Sequence, residues 1–250
     1  MRTYRTSEVA AIAGVHPNTV RLYEECRLIP PVERRANGYR LFTDWHVEQL
    51  LMARTALRVE ILQNGLRRQA VAILKLAAAG DFDGAISAVR SYRANLDEEQ
   101  TNARKALLAV RQIRESAAES GTRVVYLSRK ACAFDLGIRL DQLRNWERNG
   151  LLPDTSIEGM RRNYTERDVD FLCVIRSLRC AGFSHASILR MLTALSADPY
   201  ADPVVLIDTP RADEEIVSAC DRLLTSLEES IANAAEMETS LRRMQSRYSN

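Results

Sequence analysis

The sequence predicts a mainly α-helical fold built from two winged helix-turn-helix modules, each followed by auxiliary helices and a long coiled-coil helix. Three observations carry this. Gly and Pro are sparse, 10 and 7 of 250 residues, and aromatics make up 6%, a composition poor for an all-β sandwich or barrel. A block near the N-terminus returns some 122 residues later with its order, spacing and residue types kept. Two long stretches carry apolar residues at steps of three and four, the seam of a coiled coil.

The first block runs from Tyr4 to Val47. Ser7 reads as the N-cap of a short helix, and Gly14 ends that helix in a tight turn. A second short helix follows, with Val20 and Tyr23 on either side of Arg21. Two helices joined by a short Gly-containing turn match the pattern whose second helix enters the DNA major groove. Leu28-Ile29-Pro30 breaks the helix, and Asn37-Gly38 supplies a hairpin turn among Arg34, Arg35, Tyr39, Arg40 and Phe42. Such a basic wing can neutralise backbone phosphates.

The second block repeats this with Tyr126-Leu127-Ser128, Gly137-Ile138, Leu143-Arg144-Asn145-Trp146-Glu147, Leu151-Leu152-Pro153 and Arg162-Asn163-Tyr164-Thr165. The expected offset is 122 at the start, 123 through the central helix and 122 at the end, with Ser128 as N-cap. The first long helix is expected from about Ala85 to Ala118, with Ile86, Val89, Leu96, Ala103, Leu107, Val110 and Ile113 on its seam. The second is expected from about Asp213 to Tyr248, with Ile216, Cys220, Leu223, Leu227, Ile231, Ala234, Leu241 and Met244. Neither buries its stripe alone, and each is the other's natural partner. The expected division is 1–58 for the first winged-helix module, 59–122 for auxiliary helices and the first long helix, 123–195 for the second module, and 196–250 for a loop and the second long helix.

The net charge is +2, unevenly spread. Residues 1–58 hold nine basic against six acidic side chains and 123–195 hold twelve against eight, whereas 196–250 hold five against eleven. The basic blocks coincide with the two docking motifs, which is where they matter for nucleic acid. No apolar stretch reaches the roughly 18 residues needed to span a bilayer. The N-terminus MRTYRTSEVA has no apolar signal region, and five irregularly spaced cysteines make a poor disulfide framework. The reading is a cytoplasmic protein without a membrane partner.

At Tyr23-Glu24, Leu28-Ile29-Pro30 and Gly38-Tyr39-Arg40-Leu41-Phe42 the chain resembles the MerR family of bacterial transcription regulators. The second block is a weaker match: Met160-Arg161 stands for the wing's Gly-Tyr, while Arg162 and Tyr164 remain. Gly182-Phe183-Ser184 resembles a step in the family's auxiliary helices, which Ile61-Leu62 replaces in the first block. The resemblance implies long helices paired antiparallel, as in the family's homodimers. Here, with only Glu119-Ser120-Gly121-Thr122 as a link, the expectation is that one chain's own two long helices pair as an intrachain pseudo-dimer, with a homodimer of tandem chains as the alternative.

Double-stranded promoter DNA is then the expected partner, and the resemblance adds RNA polymerase. The family's mechanism implies bending and untwisting of a promoter spacer. His16, Pro17, Asn18 and Thr19 align with Arg139, Leu140, Asp141 and Gln142, so the two heads read unlike half-sites. Asn and Gln suit adenine, and Asp accepts from cytosine. The candidate DNA-binding set is Ser7, His16, Asn18, Thr19, Arg21, Tyr23, Asn37, Tyr39 and Arg40 in the first module, with Arg139, Asp141, Gln142, Arg144, Trp146, Arg161, Arg162 and Tyr164 in the second. Tyr23 and Trp146 have a second reading, as core aromatics.

Metal-sensing relatives carry a Cys at the start of the long helix and a Cys pair in a C-terminal loop, a pattern this chain lacks. Cys173 and Cys180 read as buried structural thiols on one helix face, and His16, His46 and His185 are scattered, so no metal site and no cofactor is expected. An unknown small-molecule effector remains open, near residues 199–203 or 61–84. No catalytic constellation stands out, and an enzyme is not expected. The alternative is a ligand-sequestering drug-resistance protein built on the same fold.

Overall fold

The computed structural model describes residues 2–59, 65–119, 127–152, 163–198, 200–210 and 219–249. Two compact units emerge, Met1–Glu98 with Ser226–Asn250, and Glu99–Thr225. The described residues are mostly helical, with short strands only in the winged-helix modules.

The first unit opens with β1 (Thr3–Tyr4), α1 (Thr6–Ala13), α2 (Pro17–Glu25), β2 (Glu33–Arg34) and β3 (Arg40–Thr43). Next come α3 (Asp44–Ala56), α4 (Leu66–Ala78) and the long α5 (Phe82–Glu119), which continues into the second unit. β3 is the central strand, antiparallel to β1 and β2, with Tyr4 opposite Phe42 and Arg34 opposite Arg40. Val9, Ala10, Ala13, Val20, Ile29, Phe42 and Leu50 form the core beneath α1 and α2. Burying each larger aliphatic side chain there contributes about 1.5–3 kcal/mol. Gln49, fully buried on α3, donates to the carbonyls of Leu28 (3.1 Å) and Leu74 (2.9 Å), so one amide ties α3 to the exit of α2 and to α4.

The second unit repeats the plan with β4 (Leu127–Ser128), α6 (Arg129–Asp135), α7 (Leu140–Arg148), β5 (Asn163–Tyr164) and α8 (Glu166–Cys180), then α9 (His185–Ala197) and α10 (Pro203–Asp208). A single 3-10 turn at Ala219–Arg222 leads into α11 (Leu223–Tyr248), which crosses back into the first unit. Gly182, at φ 97, and buried Phe183 make the turn between α8 and α9, and Ser184 caps α9. Arg190 on α9, 7% exposed, donates to the carbonyls of Leu206 (3.1 Å), Ile207 (2.6 Å) and Asp221 (2.8 Å).

The repeat holds at backbone level. Gly14 and Gly137 both sit at φ 61, and the next residue's N–H closes onto the helix in each, Val15 onto Ala10 (2.9 Å) and Ile138 onto Ala133 (3.0 Å). The offset, however, is 123 from the first strand onward: Leu127, not Tyr126, occupies the place of Tyr4, pairing with Tyr164 as Tyr4 pairs with Phe42. The change to 122 comes only between Leu28/Leu151 and β3/β5. Ser128 caps α6, accepting from Ala131 N–H at 3.3 Å, but Ser7 is no cap. α1 starts two residues earlier than a Ser7 cap implies, at Thr6 with Arg5 as N-cap, where the Glu8 carboxylate accepts the Arg5 N–H at 2.6 Å.

Both long helices begin elsewhere than periodicity implied. α5 starts at Phe82, where the Asp81 carboxylate accepts the Gly84 N–H at 2.9 Å. α11 starts at Leu223, because Asp208 accepts from the N–H groups of Leu224 (2.8 Å) and Thr225 (2.9 Å) and from the Thr225 hydroxyl (2.6 Å). The expected start near Asp213, together with Ile216, lies outside the described residues, as does the link after Glu119. The seam residues Ile86, Val89, Leu96, Ala103, Leu107, Val110, Leu223, Leu227, Ala234, Leu241 and Met244 are buried, while Ile231 and Cys220 are half-buried.

Within the first unit Gln245 on α11 donates to Asp83 on α5 (2.7 Å), and Arg90 on α5 donates to Glu238 on α11 (3.0 Å). The end of α11 also grips α3. Glu48 accepts from Arg243 (3.1 Å), Arg247 (2.7 Å) and the Tyr248 hydroxyl (3.1 Å), and the Tyr248 ring stacks on Trp45 at 5.7 Å between centroids. Burial, reinforced by the Glu48 charge, pushes the Tyr248 hydroxyl up to about 12.

Candidate nucleic-acid interface

α2 exposes its first turn and buries its opposite side through Val20. His16 is the N-cap, its Nδ1 accepting the Asn18 N–H at 3.2 Å, and Pro17 fills the first helical position, where no N–H is needed. His16, Asn18 and Arg21 are exposed and Thr19 half-buried. The Arg21 guanidinium donates to the Asn18 side-chain oxygen at 3.0 Å. Tyr23 is half-buried and packs against the core, so its ring is shared between core and surface.

The wing stands beside this helix. Arg35 N–H donates to the Tyr39 carbonyl (2.9 Å), Gly38 N–H to the Arg35 carbonyl (2.8 Å), and Tyr39 N–H to the Asn37 side chain (3.3 Å). Gly38, at φ 81, makes the reversal, and Tyr39 projects with 72% of its surface exposed. Arg40 on β3 pairs with Glu24 on α2, tying the wing to the candidate reading helix. That ion pair occupies an arginine expected to face phosphate.

In the second module Arg139, Asp141, Gln142 and Arg144 are exposed along α7. Arg144 pairs with Asp141 at 3.2 Å, and Gln142 accepts the Arg139 N–H at 3.0 Å, which engages its oxygen in capping the helix. Trp146 and Tyr164 leave the candidate surface. Trp146 is 4% exposed, and Tyr164 is fully buried with its hydroxyl donating to Glu147. Burial, then that carboxylate, pushes the Tyr164 hydroxyl up to about 12. Glu147 is held also by Arg129 (3.1 Å), so the position that tethers the first wing through Glu24 is here bound to the start of α6. Arg161 and Arg162, with Met160, lie outside the described residues.

Sequence reasoning missed one backbone position. α2 ends with Arg27 at φ 58, where Leu28 N–H closes onto the Tyr23 carbonyl (2.8 Å). The equivalent residue in α7 is Gly150, at φ 71, with Leu151 N–H closing onto Trp146 (3.1 Å). Comparison of the two blocks at offset 123 would have exposed it. Two thiols differ from expectation: Cys173 is half-buried and Cys180 exposed, whereas Cys132 is buried, its thiol pushed up to about 11 by burial. Among the described residues no group of three or more His, Cys, Asp or Glu could hold a metal ion, and no helix is long and apolar enough to cross a membrane.

The chain is similar to the curated HTH-type transcriptional regulators CueR of Escherichia coli O6:H1 strain CFT073 and of Yersinia pestis, 42% identical over 53 residues in each. CueR of Vibrio cholerae O395 is 40% identical over the same length. These matches cover 21% of this chain, which spans only 38–39% of those relatives' length. No solved structure matches. The model of the MerR HTH family regulatory proteins matches twice, at residues 4–63 and 129–195, together just over half of the chain. With both winged-helix modules matched, the chain belongs to the MerR family and carries two of its modules in tandem.

Proposed function

We propose that this protein is a DNA-binding transcription regulator whose single chain docks two unlike winged-helix heads on one promoter. The observation that carries the reading is the doubled module with different residues at equivalent helix positions: His16, Asn18 and half-buried Thr19 against Arg139, Asp141 and Gln142, each set followed by an exposed arginine, Arg21 or Arg144. A symmetric homodimer presents identical heads, whereas these two differ in charge and in hydrogen-bonding groups.

The proposed contact set is narrower than the sequence implied. Base edges fall to His16, Asn18 and Thr19 in the first head and to Arg139 and Asp141 in the second, with Gln142 turned back on the helix end. In this reading Arg21, Arg144, Arg34 and Arg35 neutralise phosphates, and the exposed Tyr39 ring lies against the sugar-phosphate wall. Trp146 and Tyr164 belong to the core.

The domain division 1–58, 59–122, 123–195 and 196–250 is proposed as the functional one. The α5–α11 contacts at Asp83–Gln245 and Arg90–Glu238, whose order reverses along the two helices, support antiparallel pairing within one chain. Bending and untwisting of a promoter spacer, engagement of RNA polymerase, effector control and a cytoplasmic location complete the reading on family grounds. The ligand-sequestering alternative gains no support from the matches.

Binding to three DNA duplexes tests it: an asymmetric operator with one half-site for each head, and two palindromes that each duplicate one half-site. The asymmetric duplex binds most tightly at physiological salt. Equal affinity for either palindrome would contradict two unlike heads.

A further inference from the structure

Equivalent positions in the two reading helices hold the same construction with one atom changed. Asn18 and Asp141 are each the second residue of their helix, and each is met three residues later by an arginine, Arg21 and Arg144. Arg21 donates to the Asn18 oxygen at 3.0 Å and Arg144 to one Asp141 oxygen at 3.2 Å. A guanidinium only donates, so the atom facing it in Asn18 is the oxygen, and the amide nitrogen is the atom left over. In Asp141 the atom left over is the second carboxylate oxygen. Asn18 is exposed, and the Asp141 side chain is 86% exposed with Arg144 at 53%, so both left-over atoms belong to exposed side chains on the helix turn that meets base edges in the reading above.

We propose that Asn18 and Asp141 are the residues that make the two half-sites differ, with Arg21 and Arg144 as the positioning residues that set their polarity. Resting on the two-headed reading above, this gives the first head a hydrogen-bond donor and the second an acceptor at the same place in the groove. Guanine offers adjacent O6 and N7 acceptors to the Asn18 amide, whereas adenine sets its own amino donor against it. Cytosine offers an N4 amino donor to the Asp141 carboxylate without the neighbouring N7 lone pair that adenine would oppose to it. The first head therefore reads guanine and the second cytosine, at equivalent positions of their half-sites. Adenine, the usual partner of a free asparagine amide, is disfavoured because Arg21 occupies one lone pair of the oxygen that would accept from it and fixes the direction of that oxygen.

Selection from a randomised duplex library with the full-length protein tests this, using the unaltered chain, Asn18→Asp, Asp141→Asn and Arg144→Ala. The unaltered chain is expected to enrich guanine in one half-site and cytosine at the equivalent place in the other, each about ten-fold over competing bases. Asn18→Asp turns the first to cytosine, and Asp141→Asn turns the second to guanine. Arg144→Ala relaxes the choice in the second half-site alone. In every variant the half-site of the untouched head reports that the chain is folded. Variants that enrich the same bases as the unaltered chain, from an operator it does select, would overturn the specificity proposal and leave the regulator reading standing. An unaltered chain that enriches no sequence overturns both.

Discussion

Arg27 shows how a duplicated chain exposes its own strain. Its φ of 58 lies in the left-handed region that disfavours a side chain, and the second copy has glycine there. Arg27→Gly is expected to stabilise the protein by roughly 1 kcal/mol, read as a higher urea midpoint at unchanged slope. His46 is the counterpart in titration. It is buried at the start of α3, with Nδ1 accepting the Thr43 N–H at 3.1 Å, and burial holds its imidazole below the usual range against the opposing pull of the Pro31 carbonyl and the Glu24 and Glu33 charges. The unfolded chain takes up the proton near pH 6.5 while the folded one resists it, so this contribution is complete above that pH and is lost as pH falls below it. Thermal melting between pH 7.5 and 5.5 should show a falling midpoint, with a shallower fall in His46→Asn. At this scale the residues with fixed backbone demands, Gly14, Gly137 and Asn37-Gly38, were legible from sequence, because a tight turn restricts what can stand there. Trp146 and Tyr164 were not, since an aromatic on a short helix or on a wing strand suits a core and a groove equally.

Among the elements, the long helices and the winged-helix modules follow from periodicity, but their ends are set by single polar side chains that periodicity ignores. Asp81 fixes the start of α5 and Asp208 that of α11. The expected offset of 122 at the start fails for a related reason: matching Tyr4 to Tyr126 by residue type overlooks strand pairing, which puts Leu127 opposite Tyr164. Arg190 was invisible in sequence because its partners are three backbone carbonyls, contributed by Leu206, Ile207 and Asp221. Replacing it with Met keeps the packing bulk and leaves those acceptors buried without their donor. A loss of about 3 kcal/mol or more is expected. Denaturation monitored by circular dichroism would show it, and an unchanged midpoint would mean that the carbonyls find other donors.

For the whole molecule, the question is whether one chain does what a homodimer does elsewhere in the family. Light scattering at micromolar concentration should return the 28.2 kDa of a single chain. Twice that mass would contradict the intrachain pseudo-dimer. The doubled module was the most legible feature of the sequence, because order and spacing survive over some forty positions even where residue types drift. What the two heads read was less so, since Asn18 and Gln142 look like free amides until their partners Arg21 and the Arg139 backbone are seen. The most direct test of the two-headed regulator is a footprint of the purified protein on the DNA upstream of its own gene at physiological salt. Two unequal protected segments, spaced by about one helical turn or a multiple of it and with enhanced cleavage between them, are expected. A single symmetric footprint, or no protection above non-specific binding, would contradict it.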